Sequence, residues 1–146
     1  MNKRVTGIYL FSTALFAGSL FFPAFSTGTS NADSLALLLT GWMGLFVDPI
    51  SSFSWLANPL YLIVLVGLLR KKSRDVLFLC ALLSFFFALS FLSVSDVIAD
   101  AGGQARAVTG YHLGCWLWIA ASLIMMFGLY FEIKSNKNSE LINNKE

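Results

Sequence analysis

The chain has 146 residues, 57% of them hydrophobic and 12% charged, with a mean hydropathy of +0.73 and a formal net charge of +2. Soluble domains carry about a quarter charged residues, so this composition excludes an ordinary soluble domain, and the short polar tail at residues 132–146 leaves no room for a separate one. Two cysteines exclude a disulfide framework, and cations that flank apolar runs instead of lining a folded basic surface exclude nucleic acid as a partner.

The first apolar run, residues 5–25, comes after Lys3 and Arg4 and contains no charge. As a helix it would reach about 30 Å, the thickness of a bilayer's hydrocarbon core, so it is predicted as a first transmembrane helix. Ala14 and Gly18, one turn apart, form a small-residue pair that permits close helix approach. A cleaved signal peptide ending at Ala24-Phe25-Ser26 is the rival reading, although the run exceeds a usual signal core.

Residues 26–34 are polar, and Asp33 and Ser34 are good caps for a helix beginning at residue 35. Residues 35–46, LALLLTGWMGLF, are too few to span and too apolar to lie in water, and Asp48-Pro49 ends them. They are predicted as an outer-face helix, lying in the membrane interface with Trp42 at headgroup depth or dipping into the outer leaflet as a re-entrant element. Trp42, Phe53 and Trp55 form the candidate partner-binding face, because aromatic anchors dominate recognition surfaces.

Residues 50–69 form the second predicted span, interrupted by Asn58-Pro59. Proline lacks an amide hydrogen and clashes with the preceding turn, so the helix kinks there or begins there with Asn58 as its cap. This pair is the candidate helix break along a pathway. Arg70-Lys71-Lys72-Ser73-Arg74 comes next, and short loops rich in Lys and Arg are retained in the cytoplasm.

Residues 76–95 are the third predicted span, with Ser84, Ala88 and Ser95 near one face and the serines expected to bond carbonyls of their own helix. The outer loop, residues 96–109, has a Gly102-Gly103 turn with Asp100 before it and Arg106 after it, suited to an exposed ion pair. The fourth span, residues 111–131, opens on a GxxxG at Gly110 and Gly114. Tyr111, Trp116 and Trp118 suit the outer interface and Tyr130 the inner one. Residues 132–146 are expected to be a disordered cytoplasmic tail.

Charge segregation makes these four runs one pattern. Nine of the ten cations fall on the side of residues 70–74, and only Arg106 joins Asp33, Asp48, Asp96 and Asp100 on the other. The sequence therefore predicts an all-α membrane protein with four transmembrane helices and an outer-face helix, with both termini in the cytoplasm.

Catalysis inside a membrane requires ionisable groups at depth, and the predicted spans contain no Asp, Glu, Lys or Arg. No HExxH, Ser-His-Asp set or phosphate loop occurs. Asp96, Asp100, Arg106 and His112 form a candidate outer polar cluster, a water-competing set for metal or acid/base work. No enzyme activity, cofactor or metal is expected. The expected partners are the bilayer and either another membrane protein or a second copy of this chain. The sequence thus points to a non-enzymatic protein of a bacterial inner membrane, the placement resting on short loops without an Asn-x-Ser/Thr acceptor. It would act as an accessory subunit or as an immunity protein against a membrane-active toxin. The alternative is a homo-oligomeric channel or small-solute transporter lined by Asn58-Pro59 and the serines of the third span.

Overall fold

The computed structural model of the chain describes residues 3–28, 30–98 and 104–143. The fold is mostly helical. Helix α1 (Lys3–Ser19) leads to strands β1 (Pro23–Ser26) and β2 (Asn31–Asp33), then to a broken helical segment. That segment comprises α2 (Ser34–Thr40), a 3-10 turn at Gly41–Met43, α3 (Gly44–Val47), α4 (Pro49–Ser52) and a second 3-10 turn at Phe53–Leu56. Helices α5 (Ala57–Leu69) and α6 (Arg74–Ser90) come next, with a 3-10 extension at Phe91–Ser93. Strands β3 (Asp96–Ile98), β4 (Ala105–Ala107) and β5 (Gly110–Tyr111) then lead into α7 (Leu113–Asn143).

Two stretches are long and apolar enough to cross a membrane, Arg74–Ser93 and Leu113–Asn138, and they coincide with the third and fourth predicted spans. The first and second are apolar but shorter, at Val5–Ser19 and Phe53–Leu69. The first predicted span is corrected at its end, because α1 stops at Ser19 and residues 23–26 become β1. Pro23 explains this: it has no amide hydrogen to extend the helix, and it holds the residue before it in extended backbone. The tail expected to be disordered instead continues α7 to Asn143.

Helix α5 begins at Ala57 with Leu56 as its cap, so Asn58 is not the capping residue. Pro59 sits in the first turn, where amide hydrogens have no partner within the helix and a proline costs little. At its other end Lys72 N donates to Gly67 O at 3.0 Å and Lys71 N to Leu68 O at 3.3 Å, the paired bonds of a Schellman turn. Lys71 takes the left-handed conformation that such a turn requires, with φ of 52°, at a position where glycine is usual.

The four long helices form a ring, with α1 against α7, α7 against α6 and α6 against α5. Tyr61 of α5 closes it, its hydroxyl 2.7 Å from Ser12 Oγ and its ring stacked on Phe16 with centroids 4.4 Å apart. The predicted Ala14/Gly18 pair does not mediate packing, since the space beside Gly18 is open. Gly128 of α7 does so instead, where an added Cβ would lie 2.8 Å from the Tyr9 ring.

Sheet pairing gathers the opposite end of the bundle. Strand order β2-β1-β5, antiparallel throughout, joins the chain after α1 to the start of α7. Separately, β3 and β4 pair in a hairpin, with Val97 opposite Arg106. These strands are the minor departure from the all-α expectation.

The core is mostly apolar, with Tyr61, Val64, Met125 and Leu129 fully buried, but it also holds polar side chains, and the outside of the bundle is apolar too. Ser12, Ser19, Ser84, Ser122, Asn58 and Glu132 are buried, whereas Leu10, Phe11, Ile63, Val66, Leu79 and Phe86 are exposed on the bundle's outside. Buried polar groups must find partners inside, and those of the core do. Ser12 Oγ donates to Ala121 O at 2.7 Å and Ser84 Oγ to Ala57 O at 2.9 Å. Ser84 thus bonds across to α5 and not within its own helix as expected, whereas Ser90 does bond its own helix at Phe87 O.

At the cation end, Glu132 of α7 ties three helices together. Its Oε2 accepts from the Tyr9 hydroxyl of α1 at 2.6 Å and meets Arg74 Nε of α6 at 3.1 Å. Removing one member of a buried pair strands the other charge. Glu132→Ala is therefore expected to destabilise the fold by about 3 kcal/mol, read as a lower midpoint of thermal unfolding in detergent. Replacing Glu132 and Arg74 together by Met should cost less than Glu132→Ala alone.

Candidate binding cleft

At the sheet end, the helical segment 34–56 folds over the mouth of the bundle and encloses a cleft of about 730 Å³. Its walls come from β1, β2, this segment, and the first turns of α5 and α7. Asp33 and Asp48 line it, and no Lys or Arg does among the described residues.

The cover is pinned by close packing. Trp55 Nε1 donates to Leu38 O at 3.2 Å. Gly41 lies against the Trp55 indole so closely that an added Cβ would overlap the ring. Asp33 caps α2, its Oδ1 accepting from Ala36 N at 2.9 Å. Ser34, the other predicted cap, instead donates to Phe22 O at 2.7 Å, which ties the start of the cover to the chain leaving α1.

The floor is the first turn of α5. Asn58 is buried there, and its Oδ1 accepts from Trp118 Nε1 at 2.9 Å. This bond brings together two residues sixty positions apart and fixes the amide's orientation. Gly114 begins α7 against bare backbone, since an added Cβ would stand 2.5 Å from Phe22 O and 2.6 Å from Pro23 O. The predicted GxxxG therefore serves packing inside the chain at Gly114.

The expected partner-binding aromatics part company. Trp42 and Phe53 are exposed, at 48% and 49%, whereas Trp55 turns inward to line the cleft. Trp42 belongs to a larger row. Leu35, Leu39, Trp42, Met43, Phe46 and Val47 are all exposed, and their spacing is that of one helical stripe. Leu37 and Leu38 pack inward against the two core clusters. The cover thus has apolar residues on both faces.

The predicted outer polar cluster is divided among separate places. Asp96 accepts from its neighbour Ser95 at 3.0 Å. Because Val97 pairs with Arg106, alternation along the ribbon sends Asp96 and Arg106 to opposite faces. Asp100 and the Gly102-Gly103 turn lie outside the described residues. His112 precedes α7, where its carbonyl accepts from Cys115 N and Trp116 N, and its Nε2 is buried with no hydrogen-bond partner among the described residues. Among the described residues no group of three or more His, Cys, Asp or Glu is placed to hold a metal ion.

Tyr111 and Trp118, expected at the outer interface, point inward. The Tyr111 hydroxyl lies 3.2–3.4 Å from the carbonyls of Phe91, Leu92 and Val94, where α6 and its 3-10 extension end. Trp116 and Tyr130 are exposed on the bundle. What the arrangement offers chemically is a recess with hydroxyls, an amide and two carboxylates inside, beneath an apolar outer stripe.

Comparison with family models, with curated proteins and with solved structures finds no match to this chain.

If Gly41 is required by the Trp55 ring, Gly41→Ala overpacks the cover. It should destabilise by roughly 1–3 kcal/mol, measured as a lower thermal midpoint, while Gly18→Ala, facing open space, should leave the midpoint unchanged.

Proposed function

We propose that this chain is a small integral protein of a bacterial inner membrane that acts without catalysis, by binding another membrane protein or an inserted peptide at its outer end. An accessory subunit and an immunity protein against a membrane-active toxin are the two roles this fits. In this reading α1, the stretch 53–69, α6 and α7 all cross the bilayer, with the turn at residues 70–74 and both termini in the cytoplasm.

Several observations support the crossing of all four helices. Large apolar side chains cover the outside of the ring, and Ser12, Ser84, Ser122 and Asn58 are buried within it, a distribution that suits a hydrocarbon solvent. The Tyr9, Arg74 and Glu132 contacts put the first half of α1, the start of α6 and the middle of α7 at one level. That level carries Arg70, Lys71 and Lys72, as the positive-inside rule requires of a cytoplasmic face. The two shorter helices need local thinning of the bilayer, at a modest cost. Packing of α1 along α7 favours a retained helix over a cleaved signal.

The observation that carries the binding role is the exposed stripe from Leu35 to Val47 above the cleft, with Phe53 exposed further along the cover. A contiguous apolar surface of this kind marks an interaction site, and Trp42 and Phe53 are the residue types that anchor interfaces. The channel reading is weaker, because the hydroxyls of Ser12, Ser84 and Ser122 are already committed to carbonyls at 2.7, 2.9 and 3.2 Å.

A photo-crosslinking residue at Phe46, exposed on the stripe, tests the role in the native membrane. It should capture one distinct membrane protein or peptide, and a crosslinker at Leu10, exposed on the bundle, should not. Trp42→Ala with Phe53→Ala should lower that yield at least tenfold at unchanged protein level. Adducts only with copies of the chain itself would transfer support to the homo-oligomeric channel.

A further inference from the structure

A second recess lies at the opposite end of the bundle, a groove of about 460 Å³ between α5 and α6. Leu62, Ile63, Val66 and Val76 form its walls, and Arg70 and Lys72 line it at the turn. We propose that this groove is a binding site for one anionic phospholipid of the cytoplasmic leaflet, an acyl chain along the walls and the phosphate between Arg70 and Lys72. The site rests on the membrane reading, since a phospholipid reaches only a groove that faces a bilayer.

Apolar walls alone would accept any lipid tail; the charge at the mouth selects the headgroup. Arg70 and Lys72 are both exposed, and among the described residues no carboxylate lines the groove. Asp75, in the first turn of α6, is exposed and stands outside the lining. Arg74 is drawn inward to Glu132. The turn geometry reinforces the selection. The Schellman bonds fold residues 70–72 back over the end of α5. The left-handed position, where glycine would be less strained, carries Lys71 and so a third cation. Basic recesses between helices on the cytoplasmic side are where anionic headgroups bind.

The test uses the full chain purified in mild detergent, mixed with equal amounts of dioleoyl-phosphatidylglycerol and dioleoyl-phosphatidylcholine, and read by native mass spectrometry. One phosphatidylglycerol should be retained preferentially. Arg70→Gln with Lys72→Gln should cut that preference by roughly thirtyfold, and Val66→Trp, which fills the groove without touching a charge, should abolish retention while circular dichroism stays helical. Lys134→Gln with Lys137→Gln should leave the preference in place; an equal loss there would mean diffuse attraction and overturn the site. Displacement by millimolar glycerol 3-phosphate would also overturn it, in favour of a soluble phosphate site. Flotation with phosphatidylcholine vesicles separates the two claims. A protein that floats yet shows no headgroup preference contradicts the groove alone, and one that fails to float contradicts the membrane reading and the groove with it.

Discussion

A buried carboxylate at the end of an apolar run has to be answered by the protein itself. Glu132 is 7% exposed, and in that position an uncompensated charge would cost several kcal/mol. It is answered from two directions at once, by a phenol from α1 and a guanidinium from α6. That requirement brings three helices to one level, at Tyr9 of α1, Arg74 of α6 and Glu132 of α7. Once Tyr9, Arg74 and Glu132 share a level, α1 and α6 run one way and α7 the other, and the tight turn at residues 70–73 makes α5 antiparallel to α6. The ring of four helices is set from this end. Tyr61, stacked on Phe16 and bonded to Ser12, closes it further along.

The opposite end is organised by backbone. The chain after α1 cannot continue as helix past Pro23 and pairs as β1 with β2 and β5, which ties the exit of α1 to the entry of α7. The 34–56 segment lies over the result, held by indole, glycine and serine contacts that leave a cleft beneath it. Two tryptophans spend their N–H groups inside, Trp55 on Leu38 and Trp118 on Asn58. Trp42 and Phe53 remain for whatever meets the outer surface. One end of the molecule is thus closed by charge pairing and the other is open, apolar outside and polar within.

Much of this is legible in the sequence wherever the signal is local. Uncharged runs of twenty or more residues locate α6 and α7, and Asp33 announces the cap of α2, while Asp48-Pro49, expected to end the outer segment, only breaks it between α3 and α4. What the sequence conceals is pairing at a distance. Trp118 resembles any interfacial tryptophan until α5 places Asn58 beside it, and Ser84 resembles any helix serine until Ala57 O comes within reach. Glu132 escapes by a single position, since it ends the fourth apolar run and reads as the first residue of the tail. One clue is present: Arg74 begins one run and Glu132 ends another, with opposite signs and on the same predicted side. The short strands leave no signal at all, because three residues such as Asn31–Asp33 are too few for alternation to register.

The binding surface and the lipid groove both depend on the bundle crossing a bilayer with the basic turn inside. The most direct measurement is thiol labelling in intact cells with a membrane-impermeant maleimide, on single-cysteine versions lacking Cys80 and Cys115. Lys72→Cys should react only after the cells are opened, and Asn31→Cys should react in intact cells. Reaction of both from the outside, or of neither until lysis, would put the turn and the sheet on one side of the membrane and contradict the four-helix crossing.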